Sequence, residues 1–167
     1  HCQPAIFVVS AACRAAWEAA GGDTVEAVGM GGLSLGEWTA LYAAGALSFE
    51  DTLRVLEARG RFMQEACEAR DGAMVSVIGL AFETLEEICR ASGVQIANIN
   101  SEGQIVLSGE RAAVLHAEEL ARQAGAKRTV VLKVAGAFHP DLMAPAAERR
   151  AAVLAHVPTQ EPDVPGV

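Results

Sequence analysis

Gly32-Leu33-Ser34-Leu35-Gly36 stands between an apolar run, Thr24–Met30 (TVEAVGM), and an alanine-rich stretch, Leu35–Ala44. The run predicts a short buried strand and the stretch predicts a helix, so the serine falls on a sharp strand-to-helix turn. Glycines on both sides let the backbone tighten until the hydroxyl points outward. The start of the following helix offers the Leu35 amide to a developing oxyanion. Ser34 is therefore a candidate nucleophile, with the backbone of Leu35 as a candidate oxyanion donor. A serine flanked by glycines also occurs in ordinary turns, so a base and a binding group have to be found elsewhere in the chain.

The 167 residues are 51% hydrophobic and 20% charged, a globular composition with enough apolar side chains for a sizeable core. The net charge is -8 and the 13 basic residues are scattered without a stripe, which argues against nucleic acid as a partner. No apolar run approaches the length of a membrane span, and no signal-peptide pattern opens the chain, so a cytoplasmic setting is expected. Cys2, Cys13, Cys67 and Cys89 lack metal-ligand spacing and read as free thiols, and no metal site is expected.

Working outward from the serine, helical pattern runs through Ile6, Val9, Cys13 and Trp17 almost from the first residue. The chain opens on His1 rather than methionine and closes on a tail punctuated by Pro158, Pro162 and Pro165, which together read as a piece of a longer protein. Ser48-Phe49-Glu50-Asp51 resembles a capping box and opens a helix carrying Leu53, Leu56, Phe62, Met63 and Cys67 toward the core. Arg59 interrupts that stripe. Its always-charged guanidinium is either a snorkelling edge residue or a fork for an anionic ligand.

From residue 73 the pattern becomes strand, helix, strand, strand, helix, strand: Ala73–Gly79, Phe82–Ala91, Val94–Asn98, Gln104–Ser108, Glu110–Ala124 and Lys127–Val134. That order is ferredoxin-like, with Ile99–Gly103 as the loop between the inner strands. The expected architecture is α/β: a large subdomain of residues 1–72 and 135–167 that carries the serine, and a ferredoxin-like subdomain of residues 73–134 inserted into it. The chain returns to the large unit through Gly136-Ala137-Phe138-His139, a glycine turn after a strand end. His139 is the best-placed candidate base; His1 is terminal, His116 lies within a helix and His156 is near the tail.

Four blocks in order, Gly32–Trp38 (GLSLGEW), Arg59–Ala66 (RGRFMQEA), Ala97–Gln104 (ANINSEGQ) and Gly136–His139 (GAFH), resemble the malonyl-CoA:acyl-carrier-protein transacylases over nearly the whole chain. The resemblance implies a parallel-sheet, hydrolase-like acyltransferase core with the inserted ferredoxin-like subdomain. It implies Ser34 as acyl-accepting nucleophile, His139 as general base and acid, and Arg59 as the group that binds the free malonyl carboxylate. The partners it implies are malonyl-CoA and the phosphopantetheine thiol of acyl carrier protein, in fatty acid or polyketide biosynthesis, with no cofactor because the serine ester itself carries the acyl group. Phe138 before the histidine resembles malonyl-selective members, where an aromatic disfavours a branched extender, and equally fits a core aromatic. Met63 matches a pocket-lining position and equally fits ordinary core. Asn98 and Asn100 match asparagines near the pantetheine channel, and taken alone would be turn formers.

The chain also departs from that family. Leu33 stands where a histidine usually precedes the nucleophile, and Pro140 follows His139 in place of a serine. The family's N-terminal strand with its glutamine-bearing glycine loop, and its late glutamine that orients the histidine, have no counterpart in these residues, so this chain alone is expected to be impaired. Loss of one oxyanion donor costs on the order of 100- to 1000-fold. Two other readings stay open: a serine hydrolase or thioesterase, for which Asp71 is the sole aspartate between Asp51 and Asp141, and a non-catalytic carrier-binding segment of a synthase, which Leu33 favours.

Overall fold

The computed structural model describes residues 2–134, 136–138 and 141–166, leaving aside the side chains of Asp23 and Leu142. In chain order its elements are α1 (Cys2–Ala19), a 3₁₀ turn (Gly22–Thr24), α2 (Leu35–Ala43), α3 (Phe49–Ala69), β1 (Gly72–Ile78) and α4 (Phe82–Ser92). They continue through β2 (Gln95–Ser101), β3 (Gln104–Glu110), α5 (Arg111–Gln123), β4 (Arg128–Val131), a second 3₁₀ turn (Asp141–Met143) and α6 (Ala144–Leu154). The chain is thus α/β, and it packs as two compact units, His1–Phe62 with Arg149–Val167, and Met63–Glu148. The second unit reaches beyond the 73–134 span read from the sequence. Glycine makes the additional packing possible: a Cβ on Gly136 would strike Cys67 in the last turns of α3, and one on Gly72 would strike Ala137.

The first unit is organised by α1, α2 and the front of α3. Ser48 begins α3 as anticipated: its hydroxyl accepts the Asp51 amide at 3.0 Å and donates to the Asp51 carboxylate at 2.7 Å. Thr52, fully buried, donates to the Ser48 carbonyl at 2.7 Å. Phe7 of α1 meets Tyr42 edge-on at 5.3 Å and Phe49 at 5.2 Å, and Leu47, Val55 and Leu56 complete this core. In α1 it is Phe7 and Ala11 that turn inward, while Ile6, Val9 and Trp17 are exposed. Arg14 donates to the Ala43 carbonyl at 2.6 Å, placing a cation at the end of α2 where carbonyls lack helical partners.

Thr24–Met30 is not a buried strand. Thr24 closes the 3₁₀ turn, Val25 and Val28 are exposed, and the one pairing among the described residues is an isolated parallel bridge from Met30 to Gly166. An apolar run becomes a strand only where a neighbour offers a ladder of backbone donors and acceptors, and a single bridge is no ladder.

In the second unit β1, β2, β3 and β4 form an antiparallel sheet of order β2-β3-β1-β4. Val75 and Val77 of β1 and Ile105 and Leu107 of β3 pack with Leu85 and Ile88 of α4 and Val114, Ala117 and Ala121 of α5. These positions follow the twofold period of strands and the 3.6-residue period of helices. Two boundaries differ from the sequence reading. β4 stops at Val131 rather than Val134, because its pairing partners on β1 run only from Ile78 to Val75; the Leu132 amide then reaches Met74 at 2.8 Å. β2 runs on to Ser101, so Asn100 lies within the strand and not in the expected Ile99–Gly103 loop, and Asn98, already read as strand, is not its last residue. Two register shifts, between Ile96 and Asn98 and between Ile99 and Ser101, let the strand continue with irregular pairing.

Candidate functional site

The backbone of Ser34 has φ 54° and ψ -100°, and no other non-glycine residue among those described has positive φ. Such a conformation costs of order 1–3 kcal/mol for a side-chain-bearing residue and persists only where its surroundings impose it. Here they do. The Gly36 amide donates to the Leu33 carbonyl at 2.8 Å, closing a tight turn, and Gly32 lies so close to Gly36 that a Cβ would collide with the Gly36 carbonyl and the Glu37 nitrogen. Ser34 caps α2, whose first residue, Leu35, has an amide with no acceptor inside the helix. The serine thus occupies the sharp turn into a helix that its flanking glycines foretold.

The two glycines differ in what they tolerate. Gly32→Ala is expected to destabilise the fold by about 2 kcal/mol through forced overpacking, and to depress any Ser34 chemistry with it. Gly36 has open space around its Cβ position, so Gly36→Ala should leave stability within about 0.5 kcal/mol of the parent. Thermal melts of the two variants side by side test the contrast.

Arg59 enters this site from the middle of α3. It sits on the face that also carries the buried Val55, Leu56 and Phe62, and is only 5% exposed. Its guanidinium donates through Nη2 to Ser34 Oγ at 2.8 Å and through Nη1 to Gln3 Oε1 of α1. Its Nε is buried and has no hydrogen-bond partner among the described residues. Burial lowers the pKa of Arg59 from its usual value, the Arg150 charge lowers it further, and Glu37 in the first turn of α2 acts the other way. The guanidinium nonetheless stays charged, as arginine does in proteins. The snorkelling reading of Arg59 is therefore replaced by a buried cation aimed at the serine hydroxyl.

Gln3 has no place in the sequence reading. Its signal was faint: one amide side chain in the first turn of a largely apolar helix, 56 positions from the arginine it contacts. His139 and Pro140 lie outside the described residues. Met63, Asn98, Asn100 and Phe138 belong to the second unit. There Met63, Phe138 and Asn98 are half-buried, Asn98 pairs opposite Val106, and Asn100 is exposed. Asp71 precedes β1 and is held by Arg111, whose Nε lies 2.8 Å and 3.0 Å from its two carboxylate oxygens. A carboxylate paired in this way and largely exposed is a surface ion-pair member.

All four cysteines are free. Burial raises the Cys67 thiol and pushes Cys89 up to about 11, with Glu86 adding to the latter, so neither carries the thiolate a nucleophile needs. Among the described residues no three His, Cys, Asp or Glu side chains group as a metal site.

The site therefore joins a strained serine at a helix start to a buried arginine, and comparison with known proteins places the chain that carries it. The family model described as "Acyl transferase domain" matches residues 1–167. The chain belongs to that family. Among curated acyl transferase relatives, the malonyl CoA-acyl carrier protein transacylase of Bacillus subtilis (strain 168) is 46% identical over 139 residues, 80% of this chain and 44% of that protein. The solved malonyl CoA-acyl carrier protein transacylase of Coxiella burnetii superposes with a TM-score of 0.94 at 41% identity, covering 99% of this chain and 53% of that one. A malonyl-transacylase solved in complex with a type II PKS acyl-carrier protein gives a TM-score of 0.94 at 39% identity, with 99% of this chain and 54% of that chain covered. This acyl transferase chain therefore spans about half the length of the relatives it matches. No helix among its described residues is long and apolar enough to cross a membrane.

Proposed function

We propose that the protein carrying this chain moves a malonyl group from malonyl-CoA to the phosphopantetheine thiol of acyl carrier protein, in the cytoplasm, through a malonyl ester on Ser34. The observation that carries this reading is the contact between Arg59 and Ser34: a buried cation with an unpartnered Nε, 2.8 Å from the candidate nucleophile through its Nη2. A carboxylate is the ligand that such a fork fits, and it would leave the thioester carbonyl of a malonyl group within reach of Ser34.

In the first half-reaction Ser34 Oγ attacks the thioester carbonyl, the C–S bond breaks, and CoA leaves as the thiol with the proton from the serine. The Leu35 amide donates to the oxyanion of the tetrahedral intermediate. His139, which the resemblance casts as the base, takes the serine proton and returns it to the leaving sulfur. The carrier thiol then attacks the ester and the same steps run in reverse. The same resemblance casts Phe138 as the residue that disfavours branched acyl groups, Met63 as a pocket-lining residue, and Asn98 and Asn100 as residues near the pantetheine channel. No cofactor enters these steps. The architecture that accompanies this reading is a hydrolase-like α/β core, residues 1–72 and 135–167, with a ferredoxin-like insertion over 73–134. The sheet order β2-β3-β1-β4 supports the second part of that description.

Intact-protein mass tests the proposal on the natural protein at full length. Brief exposure to malonyl-CoA should add one malonyl group, holo acyl carrier protein should remove it, and the Ser34→Ala variant should never acquire it. A folded protein that stays unmodified would instead support the non-catalytic, carrier-binding reading. A hydrolase reading has less support, because Asp71 is paired with Arg111.

A further inference from the structure

Guanidinium presents its five N–H groups along fixed edges, and the edge formed by Nε and Nη2 is the one a carboxylate meets with two parallel hydrogen bonds. In Arg59 that edge is half used. Nη2 donates to Ser34 Oγ at 2.8 Å, Nε has no partner among the described residues, and Nη1, on the opposite side, is held by Gln3. The side chain is 95% buried, given its 5% exposure, so water does not readily complete the set. An incoming carboxylate would satisfy Nε and compete for Nη2 with a charge-assisted bond, roughly twice as strong as the bond a neutral hydroxyl makes. Gln3, on the other nitrogen, would keep the guanidinium in place during the exchange.

We propose that the Arg59–Ser34 hydrogen bond is a hold on the nucleophile that the substrate's own carboxylate releases. This deepens the reading of Arg59 as carboxylate receptor and rests on it. While the hold is in place, a lone pair of Ser34 Oγ is engaged by a cation and is the weaker nucleophile for it. A neutral acyl thioester meets the serine in that state. A malonyl thioester meets a serine that its own carboxylate has freed, so selectivity acts on the acylation step as well as on binding.

The test uses a neutral reagent that reports on Ser34 alone. Methanesulfonyl fluoride sulfonylates a serine as the Oγ–S bond forms, fluoride leaves and the hydroxyl proton passes to the base or buffer. Its rate on the natural full-length protein is followed by intact mass in sodium acetate and in sodium chloride at equal ionic strength. Acetate should accelerate labelling of Ser34 severalfold, the reverse of the protection that an ordinary competing ligand gives. Arg59→Met, which lacks the hold, should label at the faster rate in chloride and ignore acetate. Acetate that slows labelling or leaves it unchanged in the parent protein would overturn the proposal without recourse to any variant. The underlying reading fails separately: if Arg59→Met keeps the preference for malonyl-CoA over acetyl-CoA, Arg59 is not the carboxylate receptor. If that preference is lost and acetate still has no effect, only the hold is refuted.

Discussion

Ser34→Ala should lower malonyl transfer to acyl carrier protein by on the order of 10⁴-fold or more, with residual activity owed to binding and oxyanion stabilisation alone. In the proposed reaction the hydroxyl supplies the atom that becomes the ester oxygen, and alanine puts nothing in its place. Arg59, the side chain in contact with Ser34 Oγ, cannot give up its proton and so cannot act as a nucleophile. The loss should therefore appear in kcat rather than KM, since the residues that bind the substrate stay in place. Stability should fall by only about 1–2 kcal/mol, from the acceptor that buried Arg59 Nη2 loses. Alanine meets the same positive φ as serine, so the backbone cost of the turn is unchanged. Initial rates with malonyl-CoA and holo carrier protein, together with a thermal melt, separate loss of chemistry from loss of fold. A variant that melts like the parent and still transfers malonyl would remove Ser34 from the mechanism.

Arg59→Met should produce the second largest effect, and a selective one. Methionine keeps much of the length and the apolar stem while deleting every donor. Losing a buried, charge-assisted pair with a carboxylate is worth about 3 kcal/mol, roughly a hundredfold in kcat/KM for malonyl-CoA. Acetyl-CoA has no carboxylate to lose, so its kcat/KM should not fall. Competition between the two thioesters for Ser34, read as the ratio of adducts by mass, tests this directly. The fold should survive, because a buried cation with an unpartnered Nε contributes little net stability. If both thioesters decline together, Arg59 serves the shape of the site and not the recognition of a carboxylate.

The sequence carried the local features of this chain better than the distant ones. Ser34 could be placed on a sharp turn because glycines flank it and an alanine-rich helix follows, all within a few residues. The order of strands and helices from residue 73 onward was legible for the same reason, since periodicities of 2 and 3.6 are written along the chain. Failures came where a distant partner decides the outcome. Val25 and Val28 look like strand residues, yet only Met30 finds a pairing partner among the described residues. Lys127–Val134 looked longer than β4 is, because its pairing with β1 stops at Val131 opposite Val75, although β1 itself runs on to Gly72. Arg59 was open between surface and site, and Gln3 passed unremarked. The bonds that join them to each other and to Ser34 span 56 and 25 positions, which no local pattern records.

The irregular pairing of β2 bears on what the molecule does at high concentration. A sheet edge with free donors and acceptors recruits other strands, and the two edges of this sheet are β2 and β4. Neither is a good template. β2 is broken by two register shifts and ends in the exposed polar pair Asn100 and Ser101, while β4 has only four residues and begins with the exposed Arg128. The register shifts on either side of Asn98 and Ile99 thus make the β2 edge a poor template for edge-to-edge growth.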